Sequence, residues 1–237
     1  MSGDFLKPVS AETEALLRNR GGRELFSDAE YSVIIAKRLY GARPQLAWLR
    51  ERAYAHLAPK RVPHVQGAEQ EAVRLAQRWG EDEGDAAEAA ILHDITKNLP
   101  GDEQRRLCDE YHLAVDEVER ASEKLLHSKT GAALSRELFG IPDHIYRAID
   151  CHTTGAPDMT TLEKILYIAD YIEPTRSGFE GLEELRRLAY TDLDACMELG
   201  LRLSLAEVTA KGYQPHRRTV EACAYYAALN ANKLTKG

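Results

Sequence analysis

The chain has 237 residues, 44% of them hydrophobic, enough for one sizeable core with room for a small appendage. Its net charge of -7 argues against a nucleic-acid backbone as the main partner, although a local basic pocket stays open. Cys108, Cys151, Cys196 and Cys223 are scattered without a Cys-x-x-Cys pair, which suggests neither a disulfide framework nor a zinc ribbon, and Met1-Ser2-Gly3-Asp4 has neither the basic start nor the apolar run of a leader peptide. No stretch approaches the length of a membrane span, so a soluble cytoplasmic protein that binds no membrane is expected.

Nearly every apolar pattern has helical period, and the fold class expected is all-α. Residues 1–44 are polar and broken by Gly21-Gly22, and they end at Gly41-Ala42-Arg43-Pro44. They read as an N-terminal extension of short helical pieces, in which Tyr31-Ser32-Val33-Ile34-Ile35 is the one strand-like candidate. The main domain, 45–237, should carry helices over 45–57, 64–79, 85–98, 102–111, 115–139, 142–152, 161–172, 180–190, 192–211 and 219–233. Asp85 with Glu88 resembles a capping box opening one of them, Thr160 with Glu163 opens another, and Pro142 starts a third. Glu173-Pro174 and Thr154-Gly155-Ala156-Pro157 are stop signals.

The pair His93-Asp94 follows the apolar run Ala86–Leu92, and a buried carboxylate beside an imidazole is costly unless a cation neutralises it. Other candidate ligands face the interior by their helical neighbours. His152 shares a stripe with Ile145, Ala148 and Ile149, and Asp170 shares one with Leu162, Leu166 and Ala169. His127 precedes Gly131, Leu134 and Leu138, where the small Gly131 lets another helix approach, and His64 precedes Ala68, Leu75 and Ala76. One inward histidine alone is more often a hydrogen-bonded core residue, and an ion pair with Arg or Lys is the rival explanation for both aspartates. His56, His112, His144 and His216 sit among charged or turn residues and receive no chemistry. Six nitrogen and oxygen donors without a thiolate suit iron, manganese or zinc better than calcium, and they exceed what one tetrahedral site needs. Two metals sharing a carboxylate fit the number and suit phosphoester or phosphoanhydride hydrolysis. Lys97 beside Asp94 and Arg176 beyond Asp170 are the cations placed to hold phosphate.

The strings Ile91-Leu92-His93-Asp94-Ile95-Thr96-Lys97, Leu126-His127-Ser128-Lys129-Thr130-Gly131-Ala132, Cys151-His152-Thr153-Thr154-Gly155 and Ile168-Ala169-Asp170-Tyr171-Ile172-Glu173-Pro174-Thr175-Arg176, with His64 ahead of them, resemble the HD-domain superfamily of metal-dependent phosphohydrolases. Within it they are similar to the YqeK family of symmetrical diadenosine tetraphosphate hydrolases, over about residue 45 to the C-terminus. The resemblance implies a helical HD bundle, two metal ions, iron in the family with other first-row metals open, and a small nucleotide, diadenosine tetraphosphate, cleaved to ADP by a water activated between the metals. It implies that His64, His93, Asp94 and Asp170 hold one metal, that Asp94 bridges to a second held by His127 and His152, and that Lys97 and Arg176 take part in catalysis and grip phosphate. Thr153 and Thr154 are further phosphate contacts it suggests. Many relatives have Arg and Asn where this chain has Cys223 and Ala224. Residues 1–44 faintly resemble the C-terminal tail of nicotinate-nucleotide adenylyltransferase without its nucleotide-binding portion, which fits a remnant or packing arm without adenylyltransferase activity. Another nucleotide as substrate, a di-iron oxygenase and a non-catalytic nucleotide sensor remain alternatives, and exposed helix faces permit a homodimer.

Overall fold

The computed structural model describes residues 8–235, so the leader-peptide reading of Met1–Asp4 lies outside them. Thirteen α-helices and several short 3-10 turns, without a strand, make up the described residues. In the N-terminal part, α1 (Ala11–Arg18) starts at Ser10, whose hydroxyl accepts from the Thr13 amide, and α2 (Asp28–Ala36) opens with a full Ser27/Glu30 capping box. That box decides the fate of the strand-like Tyr31–Ile35 run, which lies inside α2 as helix.

The main bundle starts with α3 (Leu46–Tyr54) and α4 (Val62–Trp79), then α5 (Glu83–Leu92) and α6 (Gly101–Glu110). α4 turns Val65, Ala68, Ala72, Leu75 and Ala76 inward at helical spacing and packs along both α5 and α10. α7 (Glu117–Ala121), α8 (Leu126–Phe139), α9 (Asp143–Cys151) and α10 (Thr161–Ile172) follow, with α9 lying against α5, α8 and α10. Small side chains make this close packing feasible, since α5 contributes Ala86, Ala87, Ala89 and Ala90, all buried. α11 (Leu182–Ala189), α12 (Leu193–Ala210) and α13 (Arg217–Leu234) close the bundle beside α10. Leu17, Tyr31, Ile34 and Ile35 of the first 44 residues belong to the same continuous core as the bundle helices.

Most expected helices are found with ends shifted by one to three residues, and two differ more. The helix expected from 85 to 98 starts two residues earlier, on the Asp82 cap, and stops at Leu92. Asp85 does not cap it, because its carboxylate is taken by Arg20, Arg43 and His144. Beyond Leu92 the chain winds through tight i+3 turns, Ile95 amide to Leu92 carbonyl and Lys97 amide to Asp94 carbonyl. His93 keeps helical backbone angles as the C-cap of α5, and Asp94 follows it in the first of these turns. The long helix expected over 115–139 is also two, α7 and α8, parted at Ser122, whose backbone (φ -135°, ψ 77°) is not helical.

Candidate metal centre

Four imidazoles and two carboxylates converge where α4, α8, α9, α10 and the turn after α5 meet. His64, His93, Asp94, His127 and His152 are buried, and Asp170 is partly so. All six sequence-predicted ligands are therefore brought together. The two oxygens of Asp94 face different histidines. Its Oδ2 lies 3.4 Å from His93 Nε2 and 3.9 Å from His64 Nε2, while Oδ1 lies 3.3 Å from His127 Nε2 and 3.8 Å from His152 Nε2. Asp170 Oδ1 approaches His64 Nε2 at 3.0 Å and His93 Nε2 at 3.9 Å.

Each imidazole is oriented through its far nitrogen. His93 Nδ1 donates to the Ala90 carbonyl at 2.6 Å, His127 Nδ1 to the Lys124 carbonyl at 2.5 Å, and His152 Nδ1 to the Ile149 carbonyl at 2.7 Å. A carbonyl only accepts, so the proton sits on Nδ1 and the Nε2 lone pair points into the cluster. His64 reaches the same state differently, with Nδ1 donating to Glu173 Oε1 at 3.0 Å. The Nε2 atoms of His64 and His93 and the Oδ1 of Asp94 are buried without a hydrogen-bond partner. The Nε2 atoms of His127 and His152 stand 3.1 Å apart, two lone pairs facing each other. Such orphaned and opposed acceptors are satisfied by a cation, so this donor set fits a divalent metal, and the second contacts to carbonyls and to Glu173 are the outer support such sites need.

The histidines and carboxylates of the cluster also shift one another's protonation. Burial pushes the His127 and His152 imidazoles down, which favours the neutral ring that can ligate. Burial opposes charge on Asp94 and Asp170, yet His93 and His127 around the first and His64 and His93 around the second hold both carboxylates well below their ordinary range. Burial also opposes a charged His93, but Asp94 outweighs it and raises that imidazole. A contrasting group, Asp116, Glu119 and His216, shows what does not fit. There His216 Nδ1 accepts from the Arg218 amide at 3.1 Å, which leaves the proton on Nε2 and no lone pair there for a metal, although Asp116 Oδ2 lies 3.0 Å away.

The rival ion pairs exist as well. Arg61, in the turn before α4, donates through Nε to Asp94 Oδ2 at 2.5 Å, and Arg176 donates to Asp170 Oδ1 at 3.0 Å. They account for charge on the carboxylates but leave the Nε2 atoms of His64 and His93 without a partner. Lys97 Nζ lies 3.0 Å from His127 Nε2 and 3.9 Å from Asp94 Oδ1, and burial lowers its pKa against the pull of Asp94. A cleft of about 550 Å³ opens beside the cluster, lined by Lys97, His152, Thr153, Asp170 and Arg176, with Tyr171 and Phe179 at its wall. Thr153 Oγ1 sits 3.2 Å from His127 Nε2 and 3.3 Å from His152 Nε2. Thr154 is turned away: it is buried, and its hydroxyl donates to the Gly155 carbonyl at 3.0 Å. Arg61 and Glu173 are the residues of this site that the sequence did not single out.

Comparison with known proteins places these features in a family. The HD domain model matches residues 61–175, a stretch that begins at Arg61 and contains all six donors. The symmetrical bis(5'-nucleosyl)-tetraphosphatase of Halalkalibacterium halodurans is 41% identical over 143 residues, 60% of this chain and 75% of that one. The protein of the same description from Bacillus subtilis is 39% identical over 153 residues, 62% of this chain and 81% of its own length. A solved structure described as a predicted HD superfamily hydrolase involved in NAD metabolism, from Clostridium acetobutylicum, superposes with a TM-score of 0.74 at 36% identity, covering 77% of this chain and 96% of that chain. Fold, donor strings and relatives agree, and the chain belongs to the HD-domain family of the symmetrical bis(5'-nucleosyl)-tetraphosphatases.

Proposed function

We propose that the chain hydrolyses diadenosine tetraphosphate symmetrically to two molecules of ADP. The observation that carries this reading is the convergence of four Nε2 lone pairs and two carboxylates beside Lys97 and Arg176, in a chain whose relatives bear that activity in their descriptions. In the reaction, water oxygen joins one of the two central phosphorus atoms. The bridging oxygen leaves on the other, so that each product ends in a free phosphate.

We assign His64, His93, Asp94 and Asp170 to one metal and His127 and His152 to a second, with Asp94 between them. The two differently facing oxygens of Asp94 support that assignment. Iron is the metal inferred. When bound, the metals lower the pKa of a water and neutralise phosphate charge. The chain itself supplies orientation and charge. Lys97, at the mouth of the cluster, neutralises the charge that develops on the leaving oxygen. Arg176, on Asp170 and a third exposed, holds a second phosphate with the free face of its guanidinium. Thr153 offers a hydroxyl to the same phosphate chain, and Tyr171 and Phe179 give the nucleoside an aromatic wall. Lys97 and Arg176, the two cations beside the cluster, favour phosphate over the oxygenase alternative. No helix of the described residues is long and apolar enough to cross a membrane, and the same reading places the protein in the cytoplasm.

The test is to incubate metal-loaded protein with diadenosine tetraphosphate and resolve the nucleotides by chromatography. ADP as the sole product is expected, and AMP with ATP would overturn the symmetrical mechanism.

A further inference from the structure

A second cleft, also about 550 Å³, adjoins the first through Lys97, which lines both. Its inner wall is Arg61, the residue that donates to Asp94, and Lys60 and Lys124 complete a concentration of four cations in a chain of net charge -7. The one acid lining it, Glu123, is taken up by a salt bridge to Arg105. The first cleft differs in kind, with three acids, Asp170, Glu180 and Glu207, against Lys97 and Arg176. Cations that concentrate where acids are excluded make a site for a polyanion. Gln104 adds a second polar feature to this cleft. It is buried, its Nε2 donates to the Leu99 carbonyl at 3.1 Å, and its Oε1 is an acceptor with no partner. A ligand that brings an N–H or O–H donor would satisfy it.

We infer that this cleft is a second nucleotide subsite that receives the other half of the substrate, so that one dinucleoside tetraphosphate spans both clefts with its central phosphates over Lys97. The inference rests on the reading of the chain as a dinucleoside tetraphosphate hydrolase. Symmetrical cleavage needs equal halves extending away from the reacting phosphates in two directions, and the first cleft holds only one of them. A nucleoside diphosphate matches the second cleft in both respects: its phosphates meet Lys60, Arg61 and Lys124, and its sugar hydroxyls or exocyclic amine offer the donor that Gln104 lacks. Each half then departs as ADP from its own side, and the substrate is held asymmetrically although it is itself symmetrical.

The decisive measurement is the binding stoichiometry of ADP on the metal-loaded protein by calorimetry, paired with KM for diadenosine tetraphosphate. Two ADP per chain are expected for the wild type. For Lys60→Glu/Lys124→Glu, one ADP and a KM raised at least about tenfold are expected, and Lys60→Gln/Lys124→Gln should lie between. Both lysines are exposed, so the fold is not at stake. One ADP per chain in a wild type that hydrolyses the substrate overturns the second subsite while the activity stands. An unchanged KM and stoichiometry in the double variant do the same. Displacement of the second ADP by tripolyphosphate with equal affinity would show a phosphate groove without nucleotide recognition and overturn the assignment. Absence of hydrolysis by the wild type overturns the activity itself, whatever the binding count.

Discussion

Three of the four inward imidazoles are steered by backbone carbonyls, and only His64 depends on a side chain, Glu173, for its orientation. Glu173 is fully buried and also accepts from the Thr175 amide at 2.6 Å and the Thr175 hydroxyl at 2.5 Å, so its oxygens are fixed before any metal binds. Glu173→Ala should therefore lower affinity at the site that uses His64 by about 10- to 100-fold, read by metal titration, and Glu173→Gln should recover part of it because an amide oxygen still accepts. Equal losses for both would refute a positioning role. Asp94→Asn should remove both metal binding and hydrolysis, and bound metal retained at wild-type stoichiometry would count against the assignment of Asp94 to both ions. Lys97→Met should leave metal content intact and reduce kcat by about 10²- to 10³-fold. The donors were legible in the sequence because a polar side chain on an apolar helical stripe is conspicuous. Arg61 and Glu173 were not, since one sits beside Lys60 in a basic turn that reads as solvated and the other precedes Pro174 and reads as a helix stop.

Helix ends, more than helix faces, build the centre. The His93-Asp94 pair follows α5, His152 follows α9, and Glu173 follows α10, each in the C-cap region. Gly67 on α4 permits the closest of these approaches, because a Cβ there would lie 2.4 Å from Glu173 Oε2. Gly67→Ala should thus act like a mild Glu173 variant, weakening metal binding more than it lowers thermal stability. α12 is tied to α10 and α13 through Asp194, which accepts from Lys164 at 2.6 Å and from Lys233 at 2.8 Å. Burial opposes its charge, but those two lysines win and depress its pKa. A depressed carboxylate contributes stability above its unfolded pKa and loses it as pH falls through the folded one. Asp194→Asn should cost about 1 kcal/mol at pH 7 and progressively less as pH falls through the depressed folded-state pKa, measured by denaturant unfolding across an acid pH series. The sequence located elements well where a cap or a proline marked them, as at Thr160 and Pro142. It ran α7 and α8 together because 113–130 contains no glycine or proline, and the break at Ser122 is set by tertiary contacts, Lys129 to Glu119 and His216 to Asp116.

Across the whole molecule, residues 8–44 are joined by charge to α5, the helix that leads into His93-Asp94. Glu88 of α5 is fully buried, and its partners are Arg20, at 2.9 Å, and Arg38. Removing Arg38 leaves that carboxylate with half its compensation, and Arg38→Ala should cost about 3–5 kcal/mol in unfolding free energy. A loss below about 1 kcal/mol would show that Arg20 suffices. We propose that residues 1–44 serve as a packing arm that holds α5, and a chain starting at Gln45 should express in insoluble form. Composition and period could announce an extension but not its attachment, since arginines that reach a helix some 50 to 70 positions away leave no local pattern. The arm also docks on the far end of α8. Arg38 Nε donates to the Gly140 carbonyl at 2.9 Å, and Gly140, with φ +58°, brings its Cα side so close to the Ala36 carbonyl that a Cβ would lie 2.5 Å from it. That attachment has a consequence for biosynthesis. The arm is made before the bundle it docks on, and the carbonyl that anchors Arg38 is made 102 residues later. At roughly 5–20 residues per second, Tyr31, Ile34 and Ile35 wait about 5–20 s on the nascent chain without the surface that buries them, which marks the arm as the segment a ribosome-associated chaperone would hold.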